Sequence, residues 1–123
     1  MYGVLGEHKS DAETIKELLR RVAGNPALAV KTKGYEGGGE LRRKGARHLK
    51  VFAELGCTRF VVCHDADGPD PKNRRKEMED QVTGPSGLGD CCIVIPVQEI
   101  EAWILADLPA VSNIFKGWQP KKP

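Results

Sequence analysis

The run Arg59-Phe60-Val61-Val62-Cys63-His64 is almost continuously apolar, and the turn-forming segment Asp65-Ala66-Asp67-Gly68-Pro69 follows it at once. A strand buried on one face alternates apolar and polar residues, whereas an unbroken apolar run predicts a strand covered on both faces of a parallel sheet. Parallel neighbours need long crossover connections, usually helical. The remaining sequence supplies them. Tyr2–Gly6 reads as a short strand, and Ser10 or Asp11 is placed to cap a helix carrying Ile15, Leu18, Leu19 and Val22 at helical spacing. Gly24-Asn25-Pro26 stops that helix, and Leu28-Ala29-Val30 is a second strand.

A loop with four glycines spans residues 34–39. A basic helix over 40–55 buries Leu41, Leu49, Phe52, Ala53 and Leu55, is weakened by Gly45 and ends at Gly56. After the long apolar strand, residues 70–81 predict a polar helix, 83–89 a turn-rich break and 91–97 a last strand. Residues 99–108 predict a helix with Ile100, Trp103 and Ile104 on one face, where Trp103 reads as core. Strands alternating with helices argue for an α/β fold of about four mainly parallel strands flanked by helices. With 123 residues there is room for one domain, placed at residues 1–116, with 117–123 as a flexible tail.

Lys+Arg 19 against Asp+Glu 17 leaves a net charge of only +2, so bulk charge does not drive nucleic-acid binding. The basic residues are unevenly spread, however. Lys31, Lys33, Arg42, Arg43, Lys44, Arg47 and Lys50 face only Glu36 and Glu40 across residues 31–50. That stretch is either a surface that tracks a phosphate backbone or the solvated face of a helix. Gly37-Gly38-Gly39 is not a phosphate-binding P-loop, because no Gly-Lys-Ser/Thr follows. Apolar runs are too short to span a bilayer and the first residues lack a signal-peptide pattern, so a cytoplasmic protein without a membrane partner is expected. Cys57, Cys63, Cys91 and Cys92 form no Cys-x-x-Cys pair and read as small buried hydrophobes, with Cys91 and Cys92 facing opposite sides of a strand.

Ligands in open α/β sheets collect beyond the C-terminal strand ends. Here those ends carry Glu7, then Asp65 and Asp67, then Glu99 and Glu101. Carboxylates gathered from three strands repel one another unless a cation sits among them, and hard oxygen donors suit Mg²⁺ or Mn²⁺. Their alternative readings are a solvated acidic turn for Asp65 and Asp67, a dipole-favoured N-terminal carboxylate for Glu99 and a helix-surface charge for Glu101. His8 and His64 flank the acids and read as their pairing partners or as contacts to phosphate or metal.

Gly6-Glu7-His8-Lys9-Ser10-Asp11 after the first strand and His64-Asp65-Ala66-Asp67-Gly68 after the third resemble the TOPRIM domain of topoisomerases, primases and OLD-family nucleases. Pro96-Val97-Gln98-Glu99-Ile100-Glu101-Ala102-Trp103 looks like a segment of uncharacterised TOPRIM-like proteins related to the OLD group. The resemblance implies a Rossmann-like TOPRIM fold and Mg²⁺-dependent phosphodiester chemistry on DNA or RNA. It makes Glu7 a metal ligand or general acid/base and Asp65 and Asp67 the metal-binding pair, while Glu99 and Glu101 would help hold a second metal. Lys9, Arg42, Arg43, Lys44 and Arg47 are, from the uneven charge, the expected nucleic-acid contacts, with the solvated face of a helix as the alternative. OLD nucleases usually carry an ATPase domain that has no place here, which a stand-alone chain, a truncated chain or a separate ATPase partner would each explain. With only Tyr2 and Tyr35 as tyrosines, hydrolysis is expected rather than strand passage, and a catalytically silent metal- or nucleotide-binding module is the alternative. A phosphotransfer receiver domain would need an acidic pair after the first strand, where Glu7 stands alone.

Overall fold

The computed structural model describes residues 1–66 and 71–96. Four strands, β1 (Tyr2–Gly6), β2 (Val30–Lys33), β3 (Arg59–Cys63) and β4 (Cys91–Val94), form one sheet in the order β2-β1-β3-β4. All three pairings are parallel, with Tyr2 opposite Val30 and Arg59, and Phe60 opposite Cys91. The α/β reading with a parallel sheet flanked by helices therefore holds.

Strand alternation sorts the core into two layers. Tyr2, Val4, Val61, Cys63 and Val94 pack on one face against Ala12, Ile15, Leu18 and Leu19 of α1 (Lys9–Ala23). Leu5, Phe60 and Val62 pack on the other against Leu41, Leu49 and Phe52 of α2 (Gly38–Glu54) and against Met78 and Val82. Cys92 joins the first layer and Cys91 the second, as their adjacency on a strand requires. At Gly3 the sheet leaves room for α2, since a Cβ there would sit 2.6 Å from Phe52 Cδ2.

Several boundaries move. The first helix starts at Lys9, before Ser10 and Asp11, and His8 is its N-cap; Asp11 instead accepts from the His8 backbone N–H at 3.3 Å. Its end is as expected: Gly24 is left-handed, and the Gly24 and Asn25 N–H groups close on Arg21 and Arg20 carbonyls at 3.1 and 3.0 Å. The second strand is 30–33 rather than 28–30, because Val30-Lys31-Thr32-Lys33 is what pairs with β1. Helix α2 absorbs Gly38 and Gly39 from the expected loop. The polar helix is α3 (Pro71–Met78), continuing through a π-helical turn (Glu79–Thr83) into α4 (Gly84–Ser86), so the expected break at 83–89 begins as helix. Gly45 admits this segment: a Cβ there would lie 2.9 Å from Val82 Cγ1. Strand β4 closes at Val94 instead of 97. Asp67, the helix expected at 99–108 with Glu99, Glu101 and Trp103, the domain limit at 116 and the tail lie outside the described residues.

Candidate functional site

The chain runs from β1 out to β2 on one side and returns past β1 to β3 on the other, so the strand order switches direction between β1 and β3. A crevice opens beyond the C-terminal ends of two such strands. Glu7 leaves β1 there and His64-Asp65 leaves β3 there.

Alternation along β3 puts Phe60, Val62 and then His64 toward α2. His64 is fully buried, and Glu7 beside it is only 7% exposed. Glu7 Oε1 lies 2.9 Å from His64 Nδ1 and also accepts the Asp65 backbone N–H. Both contacts fall on Oε1, and Glu7 Oε2 makes no hydrogen bond among the described residues. Burial pushes the Glu7 carboxyl up, but the His64 hydrogen bond, the Asp65 N–H and the electrostatic pull of His64 and His8 hold the group below its ordinary range. Glu7 is therefore an ionised carboxylate with one oxygen fixed.

The imidazole continues the chain of contacts. His64 Nδ1 is 2.8 Å from the Asp65 carbonyl, and Nε2 is 2.7 Å from Arg42 Nη1. Arg42 Nε stands 4.0 Å from Glu77 Oε2, which Arg74 Nη1 meets at 3.1 Å. Arg74 Nε in turn donates to the Ala66 carbonyl at 3.4 Å. One polar network thus joins the end of β1, the end of β3, α2 and α3.

Two glycines let the backbone come close enough. A Cβ at Gly38 would lie 2.4 Å from His64 Nε2, and one at Gly34 would lie 2.1 Å from the Lys9 nitrogen. The Gly34 approach lets the Tyr35 N–H bond the Glu7 carbonyl at 3.2 Å. The Glu7 turn is held from both sides.

Of the expected site residues, Glu7 and Asp65 are brought together, and Asp67, Glu99 and Glu101 lie outside the described residues. Among the described residues no group of three or more His, Cys, Asp or Glu side chains is placed to hold a metal ion. His8 and His64 both pair with acids, His8 with Asp11 at 3.4 Å. Of the expected nucleic-acid contacts, Lys9, Arg43 and Arg47 are exposed, Lys44 is within 3.9 Å of Glu40, and Arg42 turns inward to His64. Next to this basic face Tyr35 O–H and His48 Nδ1 are 2.6 Å apart. Burial and the cations Lys33, Arg47 and Lys44 push the His48 pKa down, and burial pushes the Tyr35 phenol up, so the phenol donates and the imidazole accepts.

The role of Arg42 and the space left by Gly38 escaped sequence reading. The period-two spacing of Phe60, Val62 and His64 was the available signal, since it aims His64 at α2.

No family model, curated protein or solved structure matches this chain. Among the described residues no helix is long and apolar enough to cross a membrane.

Proposed function

We propose that the chain is a TOPRIM-like, metal-dependent phosphodiesterase that hydrolyses DNA or RNA at the C-terminal edge of its sheet. The observation that carries this reading is the junction of Glu7 and Asp65 at the switch point, where the Asp65 N–H holds one Glu7 oxygen and leaves the other open. Two hard carboxylates from adjacent strands fit a Mg²⁺ or Mn²⁺ ion, with Asp67 as the third expected ligand. Such an ion supplies Lewis-acid stabilisation of charge developing on the phosphoryl oxygens.

The chain's own residues do the rest. A carboxyl held below its ordinary range is a poor proton acceptor near neutral pH, which favours Glu7 as ligand and electrostatic anchor over general base. Arg43 and Arg47, exposed on α2, offer contacts to a phosphate backbone. The same engagement of Glu7 Oε1 favours a second reading, a silent metal- or nucleotide-binding module within a larger complex.

The test is cleavage of plasmid DNA and single-stranded RNA with Mg²⁺ or Mn²⁺, comparing the wild type with Glu7→Ala and Asp65→Ala. Wild-type cleavage that falls at least 100-fold in both variants supports hydrolysis. Cleavage surviving both substitutions refutes the site. Mn²⁺ binding without cleavage selects the silent module.

A further inference from the structure

We infer that Arg42 and His64 form a positioning clamp for Glu7, in which the guanidinium keeps His64 Nε2 bare and the Nδ1–H on the far side of the ring holds Glu7 Oε1. Arginine offers only donors and is not deprotonated in proteins. With Arg42 Nη1 2.7 Å from His64 Nε2, that nitrogen must be the acceptor. The opposite nitrogen meets only acceptors, Glu7 Oε1 at 2.9 Å and the Asp65 carbonyl at 2.8 Å, so it carries the proton. Both edges of the ring specify the same tautomer.

His64 has no exposed surface, so these contacts fix the ring without competition from solvent. The ring therefore acts as a rigid spacer between Arg42 and Glu7. Gly38 makes the spacing possible, because a Cβ would stand 2.4 Å from Nε2 and 2.8 Å from Cε1. Arg42 is also anchored behind by Glu77 and Arg74 of α3. Arg42 is thus spent inside the protein, and contacts to phosphate fall to Arg43 and Arg47 on the same helix.

The effect on cleavage rests on the phosphodiesterase reading; the tautomer does not. The experiment is ¹⁵N-histidine NMR of the full chain at one neutral pH, alongside cleavage kinetics. In the wild type we expect a proton on His64 Nδ1 and a bare, hydrogen-bonded Nε2. In Arg42→Met the hydrogen bond at Nε2 is lost and the signal of that nitrogen moves, while Arg43→Met leaves the His64 signals unchanged. Removal of groups that orient a ligand commonly costs 10–100-fold, so kcat of Arg42→Met should fall about that much with KM little altered. Arg42→Lys, which restores a donor, should recover part of the loss. Gly38→Ala should displace the ring and reproduce the Arg42→Met spectrum without removing a functional group.

A protonated Nε2 in the wild type overturns the clamp. So does an Arg42→Met variant that raises KM at unchanged kcat, the signature of a lost phosphate contact. If the wild type neither binds Mn²⁺ nor cleaves, the phosphodiesterase reading fails while the wild-type spectrum still decides the clamp. That spectrum also decides it if the variants do not fold.

Discussion

Replacing Gly34 with alanine adds one methyl group where a Cβ would come nearer to other backbone than at any other described glycine. The new Cβ would lie 2.1 Å from the Lys9 nitrogen, 2.3 Å from its Cα and 2.5 Å from the His8 carbonyl carbon. Carbon contacts relax only beyond roughly 3.5 Å, so the two chain segments must part by about 1 Å or more. No rotamer change relieves the clash, because all three atoms are backbone. Parting the segments strains or breaks the Tyr35 N–H bond to the Glu7 carbonyl and loosens Tyr35, which is buried.

Overpacking of this kind costs about 1–3 kcal/mol and the lost hydrogen bond about 1 kcal/mol. Reduced freedom of the unfolded chain returns up to about 1 kcal/mol. The net is a destabilisation of about 2 kcal/mol, or a Tm lower by roughly 10 °C for a domain of this size. Urea unfolding at matched m-values measures it. Gly89→Ala is the control, since its Cβ meets nothing within 4 Å and its backbone is not left-handed. It should change stability by less than about 0.5 kcal/mol. A Gly34→Ala variant as stable as Gly89→Ala would show that the Glu7 turn does not depend on this crossing.

Glu7→Gln should be less stable than the wild type near pH 6, and the gap should close in acid. Because the folded pKa lies below the ordinary 4.5, the stabilisation is complete above that value and is lost as pH falls through the folded pKa. Urea midpoints at pH 6 and pH 3 read the difference, and a gap that widens in acid would contradict it. The cysteine thiols should react slowly with iodoacetamide until the protein unfolds. Burial pushes Cys91 and Cys92 up to about 11 and raises Cys57 and Cys63 as well. At pH 8 a thiol of pKa 11 is thiolate in about one molecule in a thousand. Rapid labelling of the native protein would refute the burial of Cys57 and Cys63 and the partial burial of Cys91 and Cys92.

How far the fold could be read ahead follows from where each strand sits. The β3 run was legible because a strand between two neighbours and two helical layers is apolar throughout. Strand β2 was misplaced because, among the described residues, it pairs with β1 alone, and Val30-Lys31-Thr32-Lys33 is a half-exposed edge whose lysines resemble loop sequence. The packing roles of the helical glycines Gly38 and Gly45 were hidden for one physical reason: propensity registers the lost side chain, while the benefit lies in what another segment places there, His64 in one case and Val82 in the other. At the site, Glu7 and Asp65 could be placed from strand ends alone. The pairing of His64 with Arg42 could not, because 22 residues separate them and only the packing of α2 on β3 brings them together.

The position of β1 between β2 and β3 has a consequence during synthesis. By the time β2 emerges, β1 has one neighbour and one open side, and the second arrives only with residues 59–63. At a ribosomal rate of about 5–20 residues per second, that open side waits on the order of seconds. Throughout the wait Glu7 lacks both the Asp65 N–H and the His64 ring that later secure it. The nascent chain therefore carries its acidic residue early and acquires the means to hold it late, so a chain stalled before residue 64 can form the first half of the sheet without the anchored carboxylate.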